Sequence, residues 1–253
     1  SADSGDSDLS EEDSVQELTE DFSDDVEDTE ALTQEESADE ASAQEPEFDD
    51  GSVPSAGADS NTFGDFQYTT SGLTATITKY TGTAASVTVP SKIDNYTVTK
   101  IASSAFANNL PLTSVVISDT ITEIGSNAFE GCAALESIKL PSKLKTLGYD
   151  FISGTLVTTL TIPAGLTTCV SSTYYYGPLN GAENLTELIL ADGMEKIPAY
   201  LAWFSASETT HLTSVSIPDS VTSIGSCSFA NCTALGEITI PDSVTSIANN
   251  AFS

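Results

Sequence analysis

The chain has 253 residues, of which 38 are acidic and 7 basic, for a formal net charge of −31. All seven cations are lysine. That balance argues against a nucleic-acid binder, which needs Lys and Arg to displace phosphate counterions, and against docking on an anionic bilayer.

The charge is uneven along the chain. Residues 1–60 hold 23 acidic residues and no cation, whereas residues 61–253 hold 15 and 7. A segment this charged and this poor in apolar side chains cannot bury enough surface to offset its conformational entropy, so residues 1–61 are expected to form a disordered acidic leader. Ser10 and Asp13 make a weak capping box, and Val15, Leu18, Phe22 and Val26 share one helical face, so a transient helix is the most this segment should form. Its self-repulsion suits an extended stalk, and its Asp/Glu spacing does not reproduce an EF-hand loop. Residues 62–86 are expected to form an N-terminal β cap. No run approaches the roughly 18 apolar residues of a spanning helix. The chain opens on Ser1 without an apolar leader, and the expectation is that a targeting segment, with or without a lipid-modified residue, lies upstream.

From Val87 to Ser253 the sequence repeats. Leu112, Val115, Ile117, Ile121, Ile124, Phe129 and Cys132 recur 100 residues later as Leu212, Val215, Ile217, Val221, Ile224, Phe229 and Cys232. Further copies start at Leu135, Val157, Leu185 and Leu235, at spacings of 22–28 residues, and a degenerate one spans Val87 to Asn109. The alternation Val115, Ile117 predicts a short strand with one face buried. Ile121 and Ile124 then return inward, and Phe106, Phe129, Phe151, Phe229 and Phe252 take the next inward position. One unit cannot bury its apolar face alone, and stacked units can, so the pattern predicts a β-rich solenoid of about seven units.

These residues resemble the BspA-type bacterial surface leucine-rich repeats, whose unit reads close to L-t-s-I-t-I-P-d-s-V-t-s-I-G-s-n-A-F-x-n-C. The match covers about residues 84–253 and is nearest letter for letter at Leu212 to Cys232 and Leu235 to Phe252. The resemblance implies a leucine-rich-repeat right-handed superhelix with short parallel strands. It also implies an exported, extracellular or cell-surface protein that binds or adheres to extracellular proteins or glycans without catalysis. A scaffold or substrate-capture module for another surface protein of the same cell is the alternative. Fold alone does not name the ligand.

Two units depart from the pattern. The one from Val157 puts Cys169 where Ile124 sits, lacks the Phe, and inserts residues around Tyr174, Tyr175 and Tyr176. The one from Leu185 replaces the Ala-Phe step with a run containing Tyr200, Leu201, Trp203 and Phe204. Neighbouring units lie about 5 Å apart, so the tyrosine triplet and Trp203/Phe204 should be neighbours. Tyr and Trp are enriched at interface hot spots, although extra bulk could equally fill the gap left by the missing Phe. Three consecutive tyrosines cannot all point inward.

The other candidate surface is the outward side of the strands. It reads Thr88, Val116, Lys139, Thr161, Ile189, Ser216 and Thr239, a hydroxyl-rich ribbon that could hydrogen-bond a polypeptide or glycan, although Thr is also simply a good half-exposed strand residue. The candidate binding set is therefore Tyr174, Tyr175, Tyr176, Trp203, Phe204, Lys139, Thr161, Ile189 and Ser216. No cofactor, metal or catalytic group is expected, because nucleophile elbow, P-loop, zinc-helix and dinucleotide motifs are all absent. Cys132 and Cys232 fall about 20 Å apart by strand spacing and cannot bond. They and Cys169 are expected as small buried apolar residues, and Cys227 with Cys232 lacks the further ligands of a zinc site. The pattern stops at Phe252 without a polar cap, and the last unit is expected to fray or to pair with another molecule.

Overall fold

The computed structural model describes residues 61–172, 176–207 and 210–253. The acidic leader, with Val15, Leu18, Phe22 and Val26, lies outside the described residues, as do Tyr174 and Tyr175. The described residues contain strands and turns and no helix.

The first three strands, β1 (Asn61–Phe63), β2 (Phe66–Ser71) and β3 (Thr74–Tyr80), form an antiparallel meander. Strand β4 (Ser86–Val89) opens the repeats, and β5 (Lys92–Ile93) folds back on β6 (Tyr96–Ile101), which joins β3 in parallel. A side-chain tie between meander and first coil adds to this pairing: the Tyr68 hydroxyl donates to Asp94 at 2.6 Å.

Each following coil contributes two strands, where the sequence pattern predicts one, except the last, which contributes only the shorter. The longer members are β7 (Ser114–Ile117), β9 (Ser137–Lys139), β11 (Thr159–Ile162), β13 (Glu187–Leu190) and β15 (Ser214–Ser216). The two-residue members are β8 (Glu123–Ile124), β10 (Thr146–Leu147), β12 (Thr168–Cys169), β14 (Lys196–Ile197), β16 (Ser223–Ile224) and β17 (Ser246–Ile247). Both kinds stack in parallel on their counterparts in the next coil, except between β9 and β11 and between β12 and β14. The second ladder escapes sequence reading because two residues are too few to show a period of two.

The inner columns are those the repeat predicts. Leu112, Leu135, Val157, Leu185 and Leu212 stack in one, and Ile124, Leu147, Cys169, Ile197 and Ile224 in another, all buried. Such burial stabilises by roughly 25 cal/mol per Å² of apolar surface removed from water. The aromatic column is less regular than its sequence. Tyr80, Phe106 and Phe129 stack with centroids 5.1 and 4.8 Å apart, and Phe229 stacks on Phe252 at 5.4 Å. Between these stacks the ladder bonds put Ile152 and Ala202 in the phenylalanine position, since Phe129 N donates to Phe151 O and Ala202 N to Ser228 O. Phe151 is fully buried but sits one residue earlier, in the place of Ala128. Phe252 and Ile247, in the last coil, are 39% and 50% exposed.

Threonine recurs because it joins coils. The hydroxyls of Thr113, Thr186 and Thr213 donate to the carbonyls of Ala85, Thr158 and Thr186 on one ladder, and those of Thr167, Thr222 and Thr245 to Lys145, Glu195 and Thr222 on the other. Glycine recurs after the inward Ile or Leu for a different reason. A Cβ on Gly148 would collide with the backbone of Gly125 and Ser126 in the preceding coil. Val170 holds that position in the next unit, and there the ladder is interrupted: β12 pairs with β10 only, and β14 starts a new sheet.

Candidate binding surface

Two surfaces emerge. The first is the outward side of the longer strands, split into the sheets β4-β7-β9 and β11-β13-β15. Thr88, Val116 and Lys139 are in register on one, Thr161, Ile189 and Ser216 on the other. All are exposed except Ile189, which is half-buried. Beyond β15 the groove past Ser214 and Ser216 is bounded by Asp219, Glu237 and Thr239 and has a volume of about 420 Å³. Both carboxylates in it are exposed. A glycosidase needs one carboxyl in a buried setting that keeps it protonated, and this groove supplies none.

The second surface is built where the two irregular units meet. Tyr149 stands in the column held by Ser126 and Ser226 in regular units, and its ring packs edge-on against Tyr176 of the next coil, 6.2 Å between centroids. One residue on, Gly177 N donates to Trp203 O at 2.7 Å. A Cβ on Gly177 would run into the Tyr200 carbonyl and reach the Trp203 Cβ, so only glycine allows this approach. Trp203 stacks on Tyr200 at 5.2 Å. Tyr149, Tyr176, Tyr200 and Trp203 are all half-buried.

Beneath this surface Asn180 is 5% exposed. Its Nδ2 donates to Asp150 at 2.9 Å and its Oδ1 accepts from Ser205 N at 2.8 Å, which ties three successive units at one side chain. Phe204 is 3% exposed and Leu201 fully buried. They supply the bulk that Ala202 withholds from the aromatic column, so Phe204 is a core residue and offers no surface to a partner. The closeness expected between the tyrosine segment and Trp203 is seen one residue beyond the triplet, at Gly177. Tyr149 and Tyr200 were missed from sequence. Tyr149 sits in a unit of ordinary length, and its signal was an aromatic in a column of serines.

All four cysteines are free. Cys132 and Cys232 point their thiols at the carbonyls of Phe106 and Ala202, and burial pushes the Cys232 thiol up to about 12 and the Cys169 thiol well above its ordinary range. Such thiols stay protonated and unreactive at neutral pH. Among the described residues no group of three or more His, Cys, Asp or Glu could hold a metal ion, and no helix is long and apolar enough to cross a membrane.

A family model described as BspA type leucine-rich repeat region matches in six copies, over residues 99–207 and 203–253. The chain belongs to the BspA-type leucine-rich repeat family. Among solved structures, this BspA-type chain is similar to the T. pallidum leucine-rich repeat protein TpLRR, at 21% identity over 70% of this chain and 91% of that one, with a TM-score of 0.48. It is also similar to a leucine-rich repeat protein from Bacteroides capillosus, at 21% identity over 52% and 98%, TM-score 0.44. A third is the pneumococcal vaccine antigen PcpA, at 20% identity over 66% and 37%, TM-score 0.40. No curated protein matches the chain.

Proposed function

We propose that this BspA-type chain is an exported, non-catalytic binding protein that attaches to extracellular proteins or glycans through its solenoid. The observation that supports this most is the outward side of the longer strands. Along six strands the chain turns every second residue inward and leaves alternates on the outer side, of which Thr88, Val116, Lys139, Thr161 and Ser216 are exposed and Ile189 half-buried, on parallel sheets. A solenoid presents an extended surface of this kind to partners. The acidic leader acts as a stalk that holds the solenoid off the cell envelope.

The test is binding of residues 1–253 and of residues 61–253 to immobilised matrix proteins, mucins and polysaccharides, with and without calcium. Equal capture of both by one class of partner, independent of calcium, is the expected result. Silence across the panel would overturn attachment to outside partners and favour a scaffold serving another protein of the same cell. Capture lost with the leader would reassign binding to residues 1–60.

A further inference from the structure

Tyr200 has φ +68°. The ladder places it in a column with Ser104, Asn127, Asp150, Cys227 and Asn250, all left-handed as well. Small residues and Asn/Asp tolerate that conformation, whereas a bulky aromatic there is a strained outlier, and such outliers concentrate at ligand clamps. The aromatic substitutions are confined to three consecutive coils: Tyr149 for a serine, Tyr176 beside it, and Tyr200 with Trp203 after it. Core packing does not call for them, since Phe204 and Leu201 already fill the interior. Below the rings, Asn180 fixes Asp150 and Ser205 in one hydrogen-bonded unit.

We propose that the ledge formed by Tyr149, Tyr176, Tyr200 and Trp203 is a binding site for a neutral sugar ring. This deepens the binding reading above and rests on it. The C–H face of a pyranose carries partial positive charge and stacks on the electron-rich face of an aromatic ring, while phenol hydroxyls can accept from or donate to sugar hydroxyls. Half-buried rings locked by edge-on and stacked contacts keep their orientation before the ligand arrives, which lowers the ordering cost of binding. Residues 61–253 hold 15 acidic residues against 7 lysines and no arginine, so an acidic glycan would be repelled and a neutral one accepted. A protein partner needs about 800 Å² per side. Four rings on the edge of three coils offer a platform nearer the size of one or two sugar residues.

Trp203 is the only tryptophan in the chain, so its fluorescence reports on this site alone. Titrating the full chain with neutral gluco-, manno-, xylo- and galacto-oligosaccharides should produce a saturable change in its emission with at least one of them. Tyr176→Ala should weaken that affinity about tenfold, the size of one lost stacking contact. Tyr200→Asn should weaken it similarly while the melting temperature holds or rises, because asparagine already fills this column at Asn127 and Asn250. That second variant keeps the test decisive if Tyr176→Ala folds poorly. No saturable change with any neutral sugar, or a response only to acidic glycans or to polypeptides, overturns the proposal. If the chain captures a partner on the panel but both variants bind it as tightly as the parent, the ledge assignment falls and the binding function stands.

Discussion

The coils beginning at Leu112 and Leu212 and those beginning at Val157 and Leu185 follow one pattern and spend it differently. In the first pair every inner column is filled as the repeat dictates, with Phe129 and Phe229 fully buried and stacked on an aromatic neighbour. In the second pair the aromatic leaves the column, Ala202 takes its place, and aromatic rings reappear on the surface as Tyr176, Tyr200 and Trp203. Regular coils are specified by packing, and the irregular ones combine packing with a feature that packing does not need. Opposite exchanges in this one column should therefore both destabilise. Phe129→Ala should cost about 3–5 kcal/mol, the range for emptying a buried aromatic site. Ala202→Phe, which restores the family residue, should also destabilise, by about 1–3 kcal/mol, because Leu201 and Phe204 already occupy the space. Urea melts of both variants measure this. A stabilised Ala202→Phe would mean that the middle coils contain an unfilled gap and that their irregularity is only a packing defect.

A smaller effect separates the two regions by their polar interiors. Asn180 is the buried side chain that bonds into both neighbouring coils, and its removal leaves Ser205 N–H and the Asp150 carboxylate without that partner. Asn180→Ala should cost about 1–3 kcal/mol. In a solenoid each unit contacts only its neighbours, so the loss should stay local. Hydrogen exchange should accelerate around Gly177 to Ala182 and at Ser205 and leave the amides of Ile117 and Ile224 protected. Uniform acceleration along the chain would show that the irregular coils limit global unfolding.

How much of this was legible in the sequence follows the same division. The columns of Leu112, Val115, Ile117, Ile121 and Ile124 repeat every 22–28 residues, and a repeat with that period has one economical way to bury them. The second strand ladder was hidden because each of its members is two residues long, and its hydrogen bonds run between units rather than along the chain. The position of Phe151 was misread by one residue because the sequence shows that a phenylalanine is near and the ladder decides which position it fills. At the surface, Trp203 and Tyr176 were visible as departures from the pattern, whereas Phe204 could not be told from them until burial separated core from ledge. Tyr200 needed its backbone angle, which no residue pattern reports.

The smallest expected effect lies at the opposite end of the solenoid and sharpens the contrast from the side of pH. Apart from cysteine thiols the inner columns of the repeats carry no titratable side chain, so their stability should be flat across the neutral range. The meander differs, because Tyr68 donates to Asp94, and that hydrogen bond, with burial and the carboxylate charge behind it, pushes the phenol up to about 12. Below the ordinary tyrosine pKa of about 10 the phenol is protonated folded and unfolded, and its contribution is fully present. Between about 10 and 12 the unfolded chain releases the proton and the folded chain keeps it, so stability falls as pH rises and the contribution is gone above the folded value. The buried thiols of Cys132 and Cys232, also raised, add to the same alkaline slope in both proteins compared. Tyr68→Phe should therefore lower the melting temperature modestly at pH 7 and shrink the difference from the parent as pH climbs from 10 to 12. A difference that stays constant across that window would show that Asp94 does not hold the Tyr68 proton, and that the meander is fastened to the first coil by its strand pairing alone.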